Sequence, residues 1–257
     1  MEKNAFEYLP VLKALVLSTF KGQYKNSHLG WVWQFLNPTI LVVLFYVVFT
    51  SVRIVSAHGD YWLLLCTGIF PYMFIENSIV SGSMCLVYNS QLIKKMAFPR
   101  TIIVIAHIIV GLISFSIVLI LTLLLAIISN HYIELIHILA LVPLTIVTII
   151  FCLGIAHLLS AIVVYFRDLG HFITAISRLI FWTSPTIYTI YDVSGILHTI
   201  MCCNPITYFV AQYQELIYFD SFMPTNWLLT MIALSICIYV AGRLVFKRLE
   251  NGFAERL

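Results

Sequence analysis

Short polar punctuation cuts this chain into apolar stretches of about twenty residues or more, and that pattern constrains the fold more than any other feature. A helix needs roughly 20 mostly apolar residues to cross a bilayer core. Stretches near that length run over Trp31 to Val52, Tyr61 to Val87, Thr101 to Ser129, Leu139 to Phe166, Phe172 to Tyr191 and Trp227 to Phe246, the first broken near its start by Asn37 and Pro38. Of 257 residues 61% are hydrophobic and 10% charged, so a water-soluble fold would have too little polar surface to cover itself. The sequence predicts an all-α integral membrane protein with six transmembrane helices in a single domain.

Orientation follows from where Lys and Arg fall. Lys3, Lys13, Lys21 and Lys25 precede the first stretch, and Lys94, Lys95 and Arg100 lie between the second and third. Arg167 separates the fourth from the fifth, and Arg243, Lys247, Arg248 and Arg256 close the chain. With six crossings these all share one side, while the opposite loops hold only Arg53 beside Asp60, Glu134, Asp192, Glu215 and Asp220. Both termini are therefore expected in the cytoplasm. Residues 1–28 form a cytosolic segment, 29–246 the membrane region and 247–257 a cytosolic tail. No cleavable signal peptide is expected, because no small-residue cleavage site follows a short apolar core.

Two further segments have a pattern of their own. Phe6, Leu9, Leu12, Leu15, Val16 and Phe20 recur at helical spacing, with Glu7, Lys13, Ser18 and Lys21 on the other face. That predicts an N-terminal amphipathic helix, lying on the inner membrane surface or against a cytosolic partner. Before the last stretch, Ile196 to Cys203 and Ile206 to Phe219 are apolar but too short to cross, and they hinge at Asn204 and Pro205. A re-entrant or interfacial helical hairpin is the expected form.

No catalytic pattern is found. The chain lacks a G-x-x-x-x-G-K-[ST] phosphate loop, a G-x-S-x-G elbow and an H-E-x-x-H pair. Its six cysteines make no C-x-x-C pair and no zinc spacing, so no metal is expected; adjacent Cys202 and Cys203 read as small apolar residues rather than a vicinal disulfide. His107 and His157 stand alone in apolar helices, where a hydrogen-bonded structural role is the expectation. A secondary transporter would carry several ionisable residues at mid-membrane, and only Glu76 and Arg178 qualify. A membrane-embedded glycan or lipid transferase would need acids gathered at one face, and the outer acids are scattered along the sequence.

Six segments then stand out in order: KGQYKNSHLGWVWQFLNP (Lys21 to Pro38), NSQLIKKMAFPR (Asn89 to Arg100), YFRDL (Tyr165 to Leu169), WTSPTIY (Trp182 to Tyr188), NPITYFV (Asn204 to Val210) and KRLENGFAERL (Lys247 to Leu257). This set resembles the permease subunits of ATP-binding-cassette exporters of O-antigen, capsule and teichoic-acid polymers, over nearly the whole chain. The resemblance implies a bacterial inner-membrane protein, a homodimer with a channel between its copies, and two separate nucleotide-binding ATPase subunits beneath. ATP and Mg would be bound by those partners, with no cofactor in this chain, no enzyme activity of its own and no nucleic acid. The substrate implied is a polysaccharide on a polyprenyl-diphosphate or similar lipid carrier.

The resemblance also implies roles. Lys94, Lys95, Met96, Phe98, Pro99 and Arg100, with Arg167 and Asp168, would couple to the ATPase; the first group is expected as a short helix with an apolar tip and charged flanks. Lys25, Leu29, Gly30, Trp31, Trp33, Asn37 and Pro38 would form the cytosolic gate where substrate enters, cations suiting phosphate and Trp suiting the interface. Phe70, Tyr72, Phe74, Trp182, Tyr188 and Tyr191 would line a channel, and Asn204, Pro205 and Tyr208 an outer gate. From depth alone, Glu76 and Arg178 are expected as an intramembrane charged pair: Arg178 lies eleven residues past Arg167 (178 − 167), about 16 Å along a helix.

Overall fold

A computed structural model describes residues 8–23, 32–51, 60–96 and 98–257, and every regular element among them is helical. α1 spans Leu9–Gln23, α2 Trp33–Ser51, α3 Tyr61–Tyr88, α4 Ser90–Lys95, α5 Thr101–Ile128 and α6 Leu135–Tyr165. They are followed by α7 Leu169–Trp182, α8 Gly195–Cys203, α9 Pro205–Ile217, α10 Thr225–Leu249 and α11 Phe253–Arg256. Four helices, α3, α5, α6 and α10, are long and apolar enough to cross a membrane, while α2 and α7 are apolar but shorter.

The centre of the bundle is α3, which packs against α2, α5, α6, α7 and α9. Its apolar residues run around the whole helix, so Leu63, Leu65, Ile69, Ile75 and Leu86 are all fully buried. Its hydroxyls turn back on its own backbone: Thr67 Oγ1 donates to Leu63 O (3.0 Å) and Ser78 Oγ to Phe74 O (2.8 Å). The outer helices show the opposite pattern. Ile120, Leu124 and Ile128 on α5, Leu135, Leu139, Val142 and Ile146 on α6, and Leu229, Ile236, Val240 and Leu244 on α10 form exposed apolar stripes.

Small residues bring α6 and α10 together. A Cβ on Gly154 would stand 2.5 Å from Tyr239 N, and one on Gly242 would stand 2.1 Å from Gly154 O. The two backbones touch where neither carries a side chain, the usual way membrane helices gain packing area when lipid supplies no hydrophobic drive between them.

The structure departs from the sequence expectations in three places. First, α2 is not broken at Asn37 and Pro38; the helix runs through both. Proline removes one N–H from the ladder, which a packed membrane helix tolerates. Second, the stretch Phe172 to Tyr191 is not one helix. α7 stops at Trp182, and residues 183–189 are non-helical yet almost wholly buried. Thr183 Oγ1 donates to Ile180 O (3.2 Å) and Ser184 Oγ to Ile180 O (2.7 Å), closing the helix end, and Pro185 then prevents its continuation. Third, α1 is only partly two-sided. Leu15 is buried and Val11, Leu12, Val16 and Phe20 are half-buried, the helix lying along α5, but Leu9 and Leu17 are exposed with Lys13 and Lys21. Phe6 and Glu7 lie outside the described residues.

The hairpin before the last long helix is present as α8 and α9, hinged at Asn204. Its two arms differ. α8 is largely exposed, whereas α9 is buried along nearly its full length against α3, α6 and α10.

Candidate functional site

Three places combine the polar and aromatic residues singled out in the sequence. The first is a cavity of about 320 Å³ between α2, α3 and α5, lined by Trp33, Asn37, Pro38, Phe70, Phe74 and Asn77 and by α5 from Val110 to Val118. The rings of Tyr46 and Tyr61 stack at 6.3 Å, fixing one level shared by α2 and α3. Asn37 is nine residues before Tyr46 (46 − 37) and Phe70 nine after Tyr61 (70 − 61), so both lie about 14 Å along the helices from that level. Gate residues and channel residues of the sequence reading thus meet in one cavity at mid-depth.

The second place is the unwound segment after α7. Non-helical backbone deep in a membrane bundle persists only where protein satisfies it. Tyr61 Oη donates to Ile187 O (3.0 Å), and Gln214 Nε2 to Pro185 O (2.8 Å) and Tyr188 O (3.3 Å). Asn204 Nδ2 reaches Ser184 Oγ (2.9 Å) and Thr183 O (3.3 Å), while its Oδ1 accepts from Ile206 N (3.0 Å) and caps α9. Thr189 and Asp192 close the segment with a reciprocal capping box. The hairpin and the unwound strand are therefore one hydrogen-bonded unit. Close approach also requires Gly68 on α3, where a Cβ would stand 2.3 Å from Thr186 O. Tyr208 donates to Cys202 O (3.0 Å) and packs on Trp227 (4.7 Å), joining the hairpin arms to α10.

The third place is the end of the bundle that carries most of the cations. The short helix expected around Lys94 to Arg100 ends at Lys95; Met96 is extended and exposed, and Phe98 packs inward. Two prolyl constraints explain the early stop, since Pro99 disfavours helix at the residue before it and cannot donate. The tail folds back on this loop. Glu250 Oε1 accepts from Arg100 N (3.3 Å) and lies 3.9 Å from its guanidinium. Arg167 Nη2 donates to Arg256 O (3.2 Å) and Leu257 O (3.3 Å), Tyr165 Oη to Leu249 O (3.1 Å), and fully buried Phe253 packs on Phe246 (5.3 Å). Asp168 stands exposed at the start of α7.

The remaining residues are placed as follows. Lys25, Leu29, Gly30 and Trp31 lie outside the described residues. Of the six aromatics proposed for a channel, Phe70 and Phe74 line the cavity, Phe74 stacking on Phe115 at 5.2 Å. Tyr72 is 1% exposed and donates to Ser177 O (2.6 Å), so it belongs to the α3–α7 contact rather than to an open surface. Trp182 and Tyr191 are exposed and Tyr188 is half-buried at the unwound segment. The chain alone does not bring these six into one lining. Glu76 is half-buried on α3, one turn past Tyr72, whose hydroxyl donates to Ser177 O beside Arg178, so the two charged residues stand on packed helices without a close contact. Among the described residues the close charged contact is Arg100–Glu250, with His131–Asp60 and His137–Asp220 as hydrogen bonds, and Arg178 is exposed. His157 is buried with Nδ1 2.6 Å from Leu153 O, the structural role expected of it.

Sequence reasoning missed Asn77 and Ser114 in the cavity and Gln214 in the clamp. Asn77 and Gln214 carry a signal in retrospect, each being an amide inside an apolar helix.

A helical bundle with apolar outer stripes, long apolar helices and a buried break in one helix defines a multi-pass membrane protein. The chain belongs to the ABC-2 type transporter family, whose pattern it matches over residues 10–218. It is 25% identical over 258 aligned residues to the O-antigen export system permease protein RfbA of Myxococcus xanthus, covering 99% of this chain and 98% of that one. It is 24% identical to the protein of the same name from Klebsiella pneumoniae, covering 100% of this chain and 98% of that one.

Proposed function

We propose that the chain is the membrane-channel subunit of an ATP-driven exporter that carries a lipid-linked polysaccharide out of the cytoplasm across the bacterial inner membrane. O-antigen is the first choice of polymer, by the names of the full-length relatives, with teichoic acid or capsule next. In this reading α2 and α7 also cross, giving six spans, and the basic end with both termini is cytoplasmic. The α8–α9 hairpin enters from the outer side as a gate, and α1 lies at the inner interface. Two copies pair, and two separate ATPase subunits, which bind ATP and Mg, dock at α4.

The observation that carries this reading is Arg178, exposed at the tenth position of fourteen-residue α7. A charge facing lipid at that depth costs about 3 kcal/mol on insertion scales. A second copy and a wet pathway between the copies would remove that cost. α2 adjoins the same face, Phe45 stacking on Phe181 at 5.8 Å, and its Ile40, Val43, Leu44 and Val47 are exposed there.

The test is co-purification with candidate ATP-binding-cassette ATPases of the same organism, followed by ATP hydrolysis in nanodiscs with defined lipid-linked glycans. The complex is expected to be two plus two and to be stimulated by one glycan class. A chain that binds no ATPase, or an ATPase indifferent to every glycan, overturns the reading.

A further inference from the structure

The tail, Lys247 to Leu257, touches three elements at once. On the side of the docking helix, α11 packs against α4, and Glu250 Oε1 meets the Arg100 N–H at 3.3 Å and its guanidinium at 3.9 Å. On the side of α6, Arg167 donates to Arg256 O and Leu257 O, and the Tyr165 hydroxyl donates to Leu249 O. The Arg256 guanidinium lies 5.7 Å from the centre of the Tyr165 ring. On the side of α10, the fully buried Phe253 ring stands 5.3 Å from Phe246, which in turn packs at 5.1 Å on His157 of α6. One turn deeper, Gly154 and Gly242 hold α6 and α10 backbone against backbone. Among the described residues α10 packs chiefly on α6 and α9, and α4 on α3 and α11. The tail is therefore the direct bridge from α4 to α10.

We infer that residues 250–257 act as a strut that passes movement of α4 to α10 and to the basic end of α6. This strut rests on the export reading, in which an ATPase docks at α4, and it supplies the route by which a push there reaches the long helices. Coupling between distant sites is carried by packed side chains and hydrogen bonds in contiguous series. Arg100, Glu250, Phe253, Phe246 and His157 form such a series. It has no slack on the α6 side, since a Cβ on Gly252 would stand 2.2 Å from Tyr165 Oη. Close-packed groups pass a displacement on instead of absorbing it. Glu250 and Phe253 are positioning residues in this scheme, because one is half-buried against Arg100 and the other is wholly inside the bundle. Two alternatives fit less well. A topology signal would need only the exposed Lys247 and Arg248, with no buried ring behind them. A hydrophobic plug would need Phe253 but neither the Glu250 contacts nor the two Arg167 bonds.

The experiment uses the chain with its co-purified ATPase in nanodiscs. A cysteine-free chain carries either Tyr88→Cys, at the end of α3 beside α4, or Lys247→Cys on α10, both exposed positions, and an environment-sensitive fluorophore is attached there. Emission is compared without nucleotide and with ATP plus orthovanadate. With the native tail both reporters are expected to shift. Phe253→Ala should lose the shift on α10 and keep the shift on α3, with the ATPase still bound. Phe253→Leu keeps an apolar side chain at the site and should keep both. Glu250→Ala deletes no buried ring, and it should reduce the shift on α10 alone, which decides the matter should Phe253→Ala fail to fold. An α10 shift untouched by these variants overturns the strut. So does a native chain in which α3 responds and α10 does not, or a tail variant that loses both shifts together. A native chain that binds no ATPase overturns the export reading, and the strut with it.

Discussion

Asp220 holds a left-handed backbone, with φ at 49°, which few residues other than Gly and Asn adopt. Its position is explained by what its carboxylate holds. Oδ1 accepts from Glu134 N (2.8 Å) and lies 2.6 Å from His137 Nδ1, tying the α9–α10 loop to the start of α6. Asp60 and His131 make the matching link at 2.9 Å between the start of α3 and the loop after α5. Asp220→Ala should lower stability by about 1–3 kcal/mol, since it removes both acceptor contacts and keeps the backbone strain. Asp220→Asn tolerates the same φ and retains an acceptor, so it should lose less. Thermal unfolding of the two variants in detergent decides the matter: an Asp220→Ala chain as stable as the native one would mean that the bonds contribute nothing.

At the scale of elements, the tail shows how a polar end is organised. Phe253 is fully buried against Phe246 and Tyr165, while Arg167 and Glu250 hold the backbone on either side of it. Gly252 lets the chain pass, because a Cβ there would stand 2.2 Å from Tyr165 Oη. Phe253→Ala removes a buried ring, a change of about 3–5 kcal/mol in a packed site. The membrane helices do not depend on that ring, so the tail should detach while the bundle stays folded. A cysteine at Leu257, half-buried in the native chain, should then label faster by an order of magnitude or more. Unchanged labelling would assign the tail's attachment to the Arg167 bonds instead.

The whole molecule is polarised by charge. Asp60, Glu134, Asp192, Glu215 and Asp220 gather at one end, with no Lys or Arg beside them among the described residues. Lys94, Lys95, Arg100, Arg167, Lys247, Arg248 and Arg256 gather at the other, together with Asp168, Glu250 and Glu255. If the basic end is cytoplasmic, single cysteines at Gln91 and Glu255 should resist an impermeant thiol reagent in intact cells, and one at Tyr132 should react. All three positions are exposed, so access depends on the side of the membrane and not on burial. Native Cys203 and Cys237 are exposed and must first be replaced. Labelling at Gln91 from outside would reverse the orientation.

The membrane class, the four long helices, the short hairpin and the separation of charge were legible in the sequence because each is a local or additive property. Twenty apolar residues in a row are sufficient for a crossing helix, and Asn204–Pro205 is sufficient for a hinge. The break in α7 was not legible. Pro185 and the four Ser and Thr residues of 183–189 permit a stop, but the segment can stay buried and unwound because Tyr61, Asn204 and Gln214, from 126 residues before to 29 after, satisfy the freed backbone. The cavity was hidden for the same reason: Trp33, Asn37 and Phe74 were identifiable one by one, but their meeting with Asn77 and Ser114 depends on how deeply α2 sits against α3. Hydropathy sets which segments enter lipid. Where a polar group can stay there unpaired, and where a helix can stop, depends on partners that only the packed bundle supplies.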